Sequence, residues 1–529
     1  MPRGAALQSA VLSAIAFWAL SLAQLQLPGL YYDEALDAVP AMQLVMGQRV
    51  ELVRDAGLTV AGIRLPLMAM DYVGPVYTYL YVPLFAVAGV STFTARWLPI
   101  SLSVVTIALT FAWTRRAFGD SVAAGAALLL ATHPSYVFWS RQGVSVTAAL
   151  AFFAVGALWL SGSWLRRPRR ATAFALGLAL GLGLTAKVLF LWFIVALLAV
   201  GAAVVAFRAR ERRPEGFSTA RASVLSGALG FLVGALPLIV YNLMSQGTVR
   251  AIAANLETTA YGVSNADYLT NLVGRARAFL TVVQGSGFWY LGGIERQVLF
   301  PWAIGIALVV VMVFVGFAGR LGNERREAAA LLGIIGLFFL QSGFTISGLW
   351  PTHSFLLLPL LGTVVGLGLK VALDRPVFFV AVLSLLVLGN VWTDLRYHVD
   401  LAETGGRRAH SDAIARLAGV LLEREGPVYA LDWGMKSNLQ IITAGRVNPI
   451  EVFQYQTEPD AAFRDYMWGA LHEPGARFVL KTPEATVFRR FEHAQRLAEE
   501  WRFKLVLEAE ALERDGTPLY LVYAVERLL

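Results

Sequence analysis

Residues 7–27 read LQSAVLSAIAFWALSLAQLQL, and residues 28–35 continue as PGLYYDEA. The first run carries no charge and is long enough to cross a bilayer, which takes roughly 20 apolar residues. Pro28-Gly29 stops that helix, and Tyr31-Tyr32 then deliver two adjacent carboxylates, Asp33 and Glu34, to the membrane surface. Acidic side chains are costly at that depth and tend to be kept for chemistry or ion handling. The rest of the chain is read outward from this pair.

Hydrophobic residues make up 57% of the 529 and charged residues 15%, with a mean hydropathy of +0.60. Such a chain is a polytopic membrane protein rather than a soluble one. It has no cysteine, so neither a disulfide framework nor thiol chemistry is open to it. The excess of Lys+Arg (44) over Asp+Glu (36) fits cytoplasmic loops facing anionic lipid, not a nucleic-acid partner. Lys187 is the only lysine before Lys370 in an otherwise arginine-rich chain.

Apolar segments fall near 7–27, 73–90, 97–114, 121–139, 144–164, 171–186, 188–207, 222–243, 299–318, 328–349, 354–372 and 376–393. Basic clusters at Arg115-Arg116, Arg166 to Arg170, Arg208 to Arg213 and Arg320 to Arg326 lie between them, and such short loops stay in the cytoplasm. All four face inward only if 72–90 does not cross. Gly74, Pro75, Pro83 and four tyrosines suit a re-entrant or surface-lying helix there. The expectation is about eleven spans, with loops 28–95 and 244–298 external. Lys187 then turns a tight hairpin at the outer headgroups, and Arg96, Arg141 and His353 stand at other external breaks.

After residue 397 charges return at soluble density. Val428–Leu431, Phe478–Leu480 and Leu519–Val525 read as strands and Ala485–Trp501 as an amphipathic helix. The division is a transmembrane domain over 1–397 and an extracytoplasmic α/β domain over 398–529.

Between Asp71 and Glu257 the only acids are Asp120, Glu211 and Glu215, all assigned to the cytoplasmic side. Asp33, Glu34 and Asp37 are the acids nearest the external membrane surface, facing the external cations. A carboxylate base opposite fixed positive charge at a bilayer surface suits transfer of a sugar from a polyprenyl phosphate. The leaving phosphate needs cations rather than a general acid, and the acceptor hydroxyl needs a base. Asp33 is the expected base, with Glu34 sharing or positioning it. Lys187, Arg96, Arg141 and His353 are the candidates for the donor phosphate, and Tyr32 and Tyr77 for substrate contacts. A compact ammonium such as Lys187 suits a phosphate oxygen. No His/Asp cluster has metal-ligand spacing, and no cofactor is called for.

Five pieces in order carry a resemblance: Tyr32-Asp33-Glu34-Ala35 after the first span, Asp71-Tyr72-Val73-Gly74-Pro75-Val76-Tyr77, Ala95-Arg96-Trp97-Leu98-Pro99, Gly181 to Lys187, and Pro237 to Asn242. Together they make the chain similar to the GT-C class of membrane glycosyltransferases, in particular the bacterial relatives of protein O-mannosyltransferases and of lipid A aminoarabinose transferases. Two departures stand out. No acid follows Arg141 within the next few residues, and Thr352-His353-Ser354 replaces the Arg-Tyr many members carry. The resemblance implies an inverting hexosyl or pentosyl transfer at the outer face of the plasma membrane. It also implies a glycan, lipid or protein acceptor that the C-terminal domain helps to bind. The rival reading, a transporter or lipid-linked sugar flippase, calls for internal repeats and broken, charged helices at mid-membrane, which the sequence does not offer.

Overall fold

The computed structural model describes residues 3–211, 217–257, 262–316, 322–456 and 458–528. Part of the Arg208–Arg213 cluster, Arg320 and Tyr261 lie outside them. A helix or bent helix pair lies at each of the eleven expected spans. Seven of these helices are long and apolar enough to cross a bilayer, and eight if one bent pair counts as a span. Three more are shorter or more polar: Leu7–Leu22, Arg170–Ala186, and Asn323–Gln341, whose first turn holds Glu324. The chain is a multi-pass helical membrane protein. Val76–Ala88, the segment read as non-crossing, has 13 residues. At ~1.5 Å per residue it falls short of a hydrocarbon core about 30 Å thick.

The bent pair corrects the continuous span read over 121–139. Asp120–Ala131 and Pro134–Gln142 meet at 57°. The cause is Pro134, which disfavours helical geometry at the residue before it. His133 is accordingly extended, and its Nδ1 accepts the Ser135 N–H as an N-cap.

The first helix ends at Leu22, earlier than hydropathy suggested. Residues 23–27 form a turn instead, stitched by Arg141, whose Nη2 donates to the carbonyls of Ala23, Gln24 and Leu27 at 2.7, 2.7 and 3.0 Å. Helices Arg170–Ala186 and Phe217–Ser245 pack through facing glycines, so their backbones approach closely, as small residues allow between membrane helices.

A two-stranded ribbon, β1 (Gly57–Val60) and β2 (Ile63–Pro66), lies in the loop after the acidic pair. The C-terminal region holds a five-stranded sheet: β3 (Val428–Ala430), β4 (Ile450–Glu451), β5 (Arg477–Lys481), β6 (Phe503–Leu512) and β7 (Pro518–Arg527), in the order β4-β3-β5-β7-β6. Strands β4, β3 and β5 are parallel, while β7 is antiparallel to both β5 and β6. Period-two alternation gives the sheet two cores. Val428, Ala430 and Val479 pack with helix Ala413–Leu422 on one face. Tyr429, Leu431, Phe478 and Leu480 pack with helices Ala461–His472 and Phe491–Glu500 on the other.

Two details differ from the sequence reading. The amphipathic helix spans Phe491–Glu500, starting later than Ala485. Helix Pro376–Thr404 runs unbroken through residues 397 and 398. Charge density marks where that helix becomes polar, not where it stops.

Candidate active site

The segment after Pro28-Gly29 is held from three directions. Gly29 sits against the Ser411 carbonyl, which a Cβ would overlap. Tyr31 stacks on His410 at 4.1 Å, and His410 stacks on Tyr290 at 3.8 Å. Asn438 donates to the Leu30 carbonyl at 3.1 Å. The acidic pair thus stands on a short helix, Tyr32–Leu36, clamped between the helical bundle and the C-terminal region.

The two carboxylates part company there. Glu34 is buried, and Arg96 forks onto it, Nε to Oε2 at 2.9 Å and Nη2 to Oε1 at 3.1 Å. Oε1 also accepts the Tyr31 N–H. Arg96 also donates to the Leu25 and Gly29 carbonyls. Glu34 and Arg96 together hold the turn between the first helix and the acidic helix. Asp33, by contrast, has no hydrogen-bond partner among the described residues and is only partly buried. Burial pushes its carboxyl up to about 6, against the pull of Lys187. Asp37 lies one helical turn on, with Oδ1 buried and unpartnered. Burial and then Asp33 push it to about 7, and Lys187 opposes both.

Lys187 does not stand free at the tip of its hairpin but is covered by protein, 5% exposed. The covering segment is Tyr72-Val73-Gly74: Gly74 N–H donates to the Ala186 carbonyl, Val188 N–H donates to the Tyr72 carbonyl, and Val73 pairs with Lys187. Gly74 is required, because a Cβ there would overlap the Thr185 carbonyl oxygen. Burial lowers the ammonium to about 8, while Asp33 and Asp37 hold it up. The Asp71-to-Tyr77 and Gly181-to-Lys187 motifs thus form one unit. Its far end is tied by Asp71, which accepts from Tyr241 at 2.5 Å and from Arg54 at 2.7 and 2.8 Å.

His353 is buried beside this unit. Arg275 Nη1 lies 3.4 Å from its Nδ1 and Ser347 Oγ 3.4 Å from its Nε2, so both ring nitrogens are occupied. Arg275 also donates to the Ser342 and Trp350 carbonyls and stacks over Trp192, yet its Nη2 is buried without a partner. Sequence reasoning missed Arg275. Its signal was a lone arginine on the inner face of the amphipathic helix Tyr268–Gln284, within a loop read only as external.

Arg141 donates through Nη2 to the turn at 23–27, while its Nε and Nη1 are buried without a hydrogen-bond partner. Tyr77 is 1% exposed, and its hydroxyl accepts the Ala149 N–H, so it packs as core. Tyr32 faces the C-terminal region, donating to Glu451 at 3.3 Å and lying 5.0 Å from Trp433. Of the expected set, the structure gathers Asp33, Lys187 and His353, with Asp37 and Arg275 added. Arg96 and Glu34 stand behind them. Among the described residues no group of three or more His, Cys, Asp or Glu could hold a metal ion.

A family model for dolichyl-phosphate-mannose-protein mannosyltransferases matches residues 72–241, the stretch from the Lys187 cover to Tyr241. ArnT from Cupriavidus metallidurans, in a crystal structure with undecaprenyl phosphate, superposes with a TM-score of 0.65 at 14% identity, covering 99% of this chain and 98% of that one. The chain has the GT-C fold. Its apo counterpart gives the same TM-score over 98% of both chains. The Archaeoglobus fulgidus oligosaccharyltransferase in its apo form gives 0.52 at 14% identity, over 98% of this chain and 74% of that one. No curated protein sequence matches. Within the GT-C class, the chain resembles the O-mannosyltransferases and aminoarabinose transferases.

Proposed function

We propose that this chain is a polyprenyl-phosphate-sugar-dependent glycosyltransferase. It would work at the outer face of the plasma membrane, with its C-terminal region over 398–529 on that side. The observation that carries the reading is the pairing of a free carboxylate, Asp33, with a buried ammonium, Lys187, within electrostatic reach. Asp33 takes the proton of the acceptor hydroxyl, whose oxygen bonds the anomeric carbon from the face opposite the phosphate. The bond from that carbon to the phosphate oxygen breaks, and polyprenyl phosphate leaves with the electron pair. The anomeric centre inverts. Lys187 and the unpartnered Nη2 of Arg275 neutralise the leaving phosphate, a fixed positive charge that needs no reorganisation. His353 holds Arg275. Glu34 and Arg96 set the position of Asp33 through their paired contacts, which for Glu34 is one of the two roles expected from sequence and for Arg96 replaces the expected phosphate contact. The similarity to ArnT, which binds undecaprenyl phosphate, supports this donor class.

The test is transfer of a radiolabelled sugar from an undecaprenyl-phosphate-linked donor in proteoliposomes, wild type against Asp33→Asn. Equal rates in the two would end the reading.

A further inference from the structure

Above Asp33 the C-terminal region presents groups that the transfer chemistry leaves unused. Trp433, half-buried at the end of the β3 turn, lies 5.0 Å from the Tyr32 ring and 6.1 Å, edge-on, from Tyr31. Tyr455 is 68% exposed, stands 5.0 Å from Phe453, and interacts with Tyr32 and Trp433. Asp33 and Glu451 are both within electrostatic reach of the Tyr455 hydroxyl. Glu451, at the end of β4, accepts from Tyr32 through Oε1.

Trp433 is held with unusual care for a loop residue. Asp432 is fully buried and accepts the Val487 and Phe488 N–H groups through Oδ1 and Lys481 Nζ through Oδ2 at 3.1 Å. Lys481 also donates to the Trp433 carbonyl and lies 5.6 Å from its ring. A buried ion pair spent on one turn fixes the indole against the mouth of the site.

The charges around this mouth decide which acceptor fits. Glu451 and Asp33 face it, and Lys436 nearby is already paired with Glu51 at 2.7 Å. An anionic acceptor would meet the Glu451 and Asp33 carboxylates there, and like-charge juxtaposition is a strong selector against a partner. Aromatic faces flanked by an acceptor carboxylate suit a molecule with C–H faces and several hydroxyl donors. We infer that Trp433, Tyr455, Tyr32 and Glu451 form an acceptor subsite for an uncharged carbohydrate, which presents one hydroxyl to Asp33. This deepens the proposed function and rests on it.

The test uses the full-length protein in phosphatidylcholine nanodiscs. It measures binding of a panel of neutral manno-, gluco-, galacto- and arabino-oligosaccharides, a phosphorylated glycolipid and a Ser/Thr-containing peptide, with undecaprenyl phosphate titrated in parallel. A neutral oligosaccharide is expected to bind. Tyr455→Ala and Glu451→Gln should each weaken it at least tenfold, Trp433→Ala more, and Trp433→Phe should recover most of the loss. Undecaprenyl phosphate affinity should not move in any of these variants. The inference is overturned if no oligosaccharide in the panel binds, if only the glycolipid or the peptide does, or if the variants bind sugar as wild type does. Tight, Lys187-dependent undecaprenyl phosphate binding alongside such a failure would remove this subsite and leave the proposed function standing. Loss of both would remove the two together.

Discussion

Arg96 grips Glu34 with two parallel contacts of 2.9 and 3.1 Å, while Asp33, the adjacent residue, is left without a hydrogen-bond partner among the described residues. Fork-on-carboxylate geometry fixes orientation as well as charge. Breaking a buried pair by removing one partner typically costs ~3–5 kcal/mol, because the other charge stays buried alone. Arg96→Met and Glu34→Gln should therefore lower thermal stability in detergent by many degrees, while Asp33→Asn should scarcely change it. Lys cannot reproduce the fork, so Arg96→Lys should behave more like Arg96→Met than like wild type. A Glu34→Gln protein as stable as wild type would show that this pair does not hold the turn.

The activity should have a narrow pH window. Asp33 is raised from its ordinary range to about 6 by burial, so below that value it is protonated and cannot accept a proton. The rate should rise with pH through about 6. Lys187 is lowered to about 8 by burial, so above that value its charge on the phosphate is lost and the rate should fall. Asp33 and Asp37 interact, so the acid limb belongs to the pair. Lys187 holds both carboxyls down, and Lys187→Met should move the acid limb to higher pH. The measurement is kcat/KM against pH with a polyprenyl-linked donor. An acid limb unmoved by that substitution would place Lys187 away from the base.

Gly74 offers a test of the Lys187 cover that leaves every charged group in place. A Cβ at Gly74 would strike the Thr185 carbonyl, which is backbone and cannot swing aside. Forcing extra atoms into a packed site costs roughly 1–3 kcal/mol. Gly74→Ala should lift Tyr72-Val73-Gly74 from the turn, exposing Lys187 to water and returning its pKa toward that of an ordinary lysine. The basic limb should then move to higher pH, with donor use impaired. An unchanged profile would show that the cover does not set the lysine's environment.

The two cations should be separable from the carboxylates. A hydrogen bond to a charged group is worth roughly 1.5–3 kcal/mol. Lys187→Ala and Arg275→Ala should each reduce undecaprenyl phosphate affinity ten- to a hundredfold, with Lys187→Arg recovering part. Arg141→Ala should weaken that affinity less than Lys187→Ala does and cost stability, since its Nη2 holds the 23–27 turn. Phosphate affinity lost in Arg141→Ala, with stability intact, would reverse these assignments.

What could be read in the sequence follows from how each signal arises. Hydropathy reported the helices because bilayer burial acts on every residue of a span, and the strands at Val428 and Phe478 were visible as short continuous apolar runs because both faces of the sheet are buried. Asp33 and Lys187 stood out because they are rare types in their surroundings. The pairing of Glu34 with Arg96 was not legible because a contact 62 positions apart has no local signature. The break at His133 was legible in Pro134 but was passed over in favour of hydropathy. The burial of Lys187 depends on a backbone bridge from Val73, which only the folded chain reveals. Trp433 and Glu451 were invisible for the same reason: sheet strands bring them to Tyr32 from some 400 positions away.

The last prediction separates the two carboxylates within reach of Lys187. Asp33 is partly exposed and unpartnered, whereas Asp37 is 3% exposed and faces inward, with Thr78 donating to its backbone carbonyl. A base must meet the acceptor's proton directly or through one water, and of the two only Asp33 is partly exposed and within electrostatic reach of Tyr455. Asp33→Asn keeps the size and hydrogen-bonding atoms but cannot take that proton, so turnover should fall by the ~10²–10⁴ typical of a lost base. Undecaprenyl phosphate binding should weaken only modestly, through the loss of one charge near Lys187. Asp37→Asn removes a like charge from beside Asp33, so the acid limb of the pH profile should move to lower pH while the plateau rate stays within severalfold. Single-turnover transfer of labelled sugar across a pH series measures both. If Asp37→Asn abolished transfer and Asp33→Asn merely shifted the limb, the proton would be passing to the inner carboxylate, and the acceptor would have to reach deeper than the mouth allows.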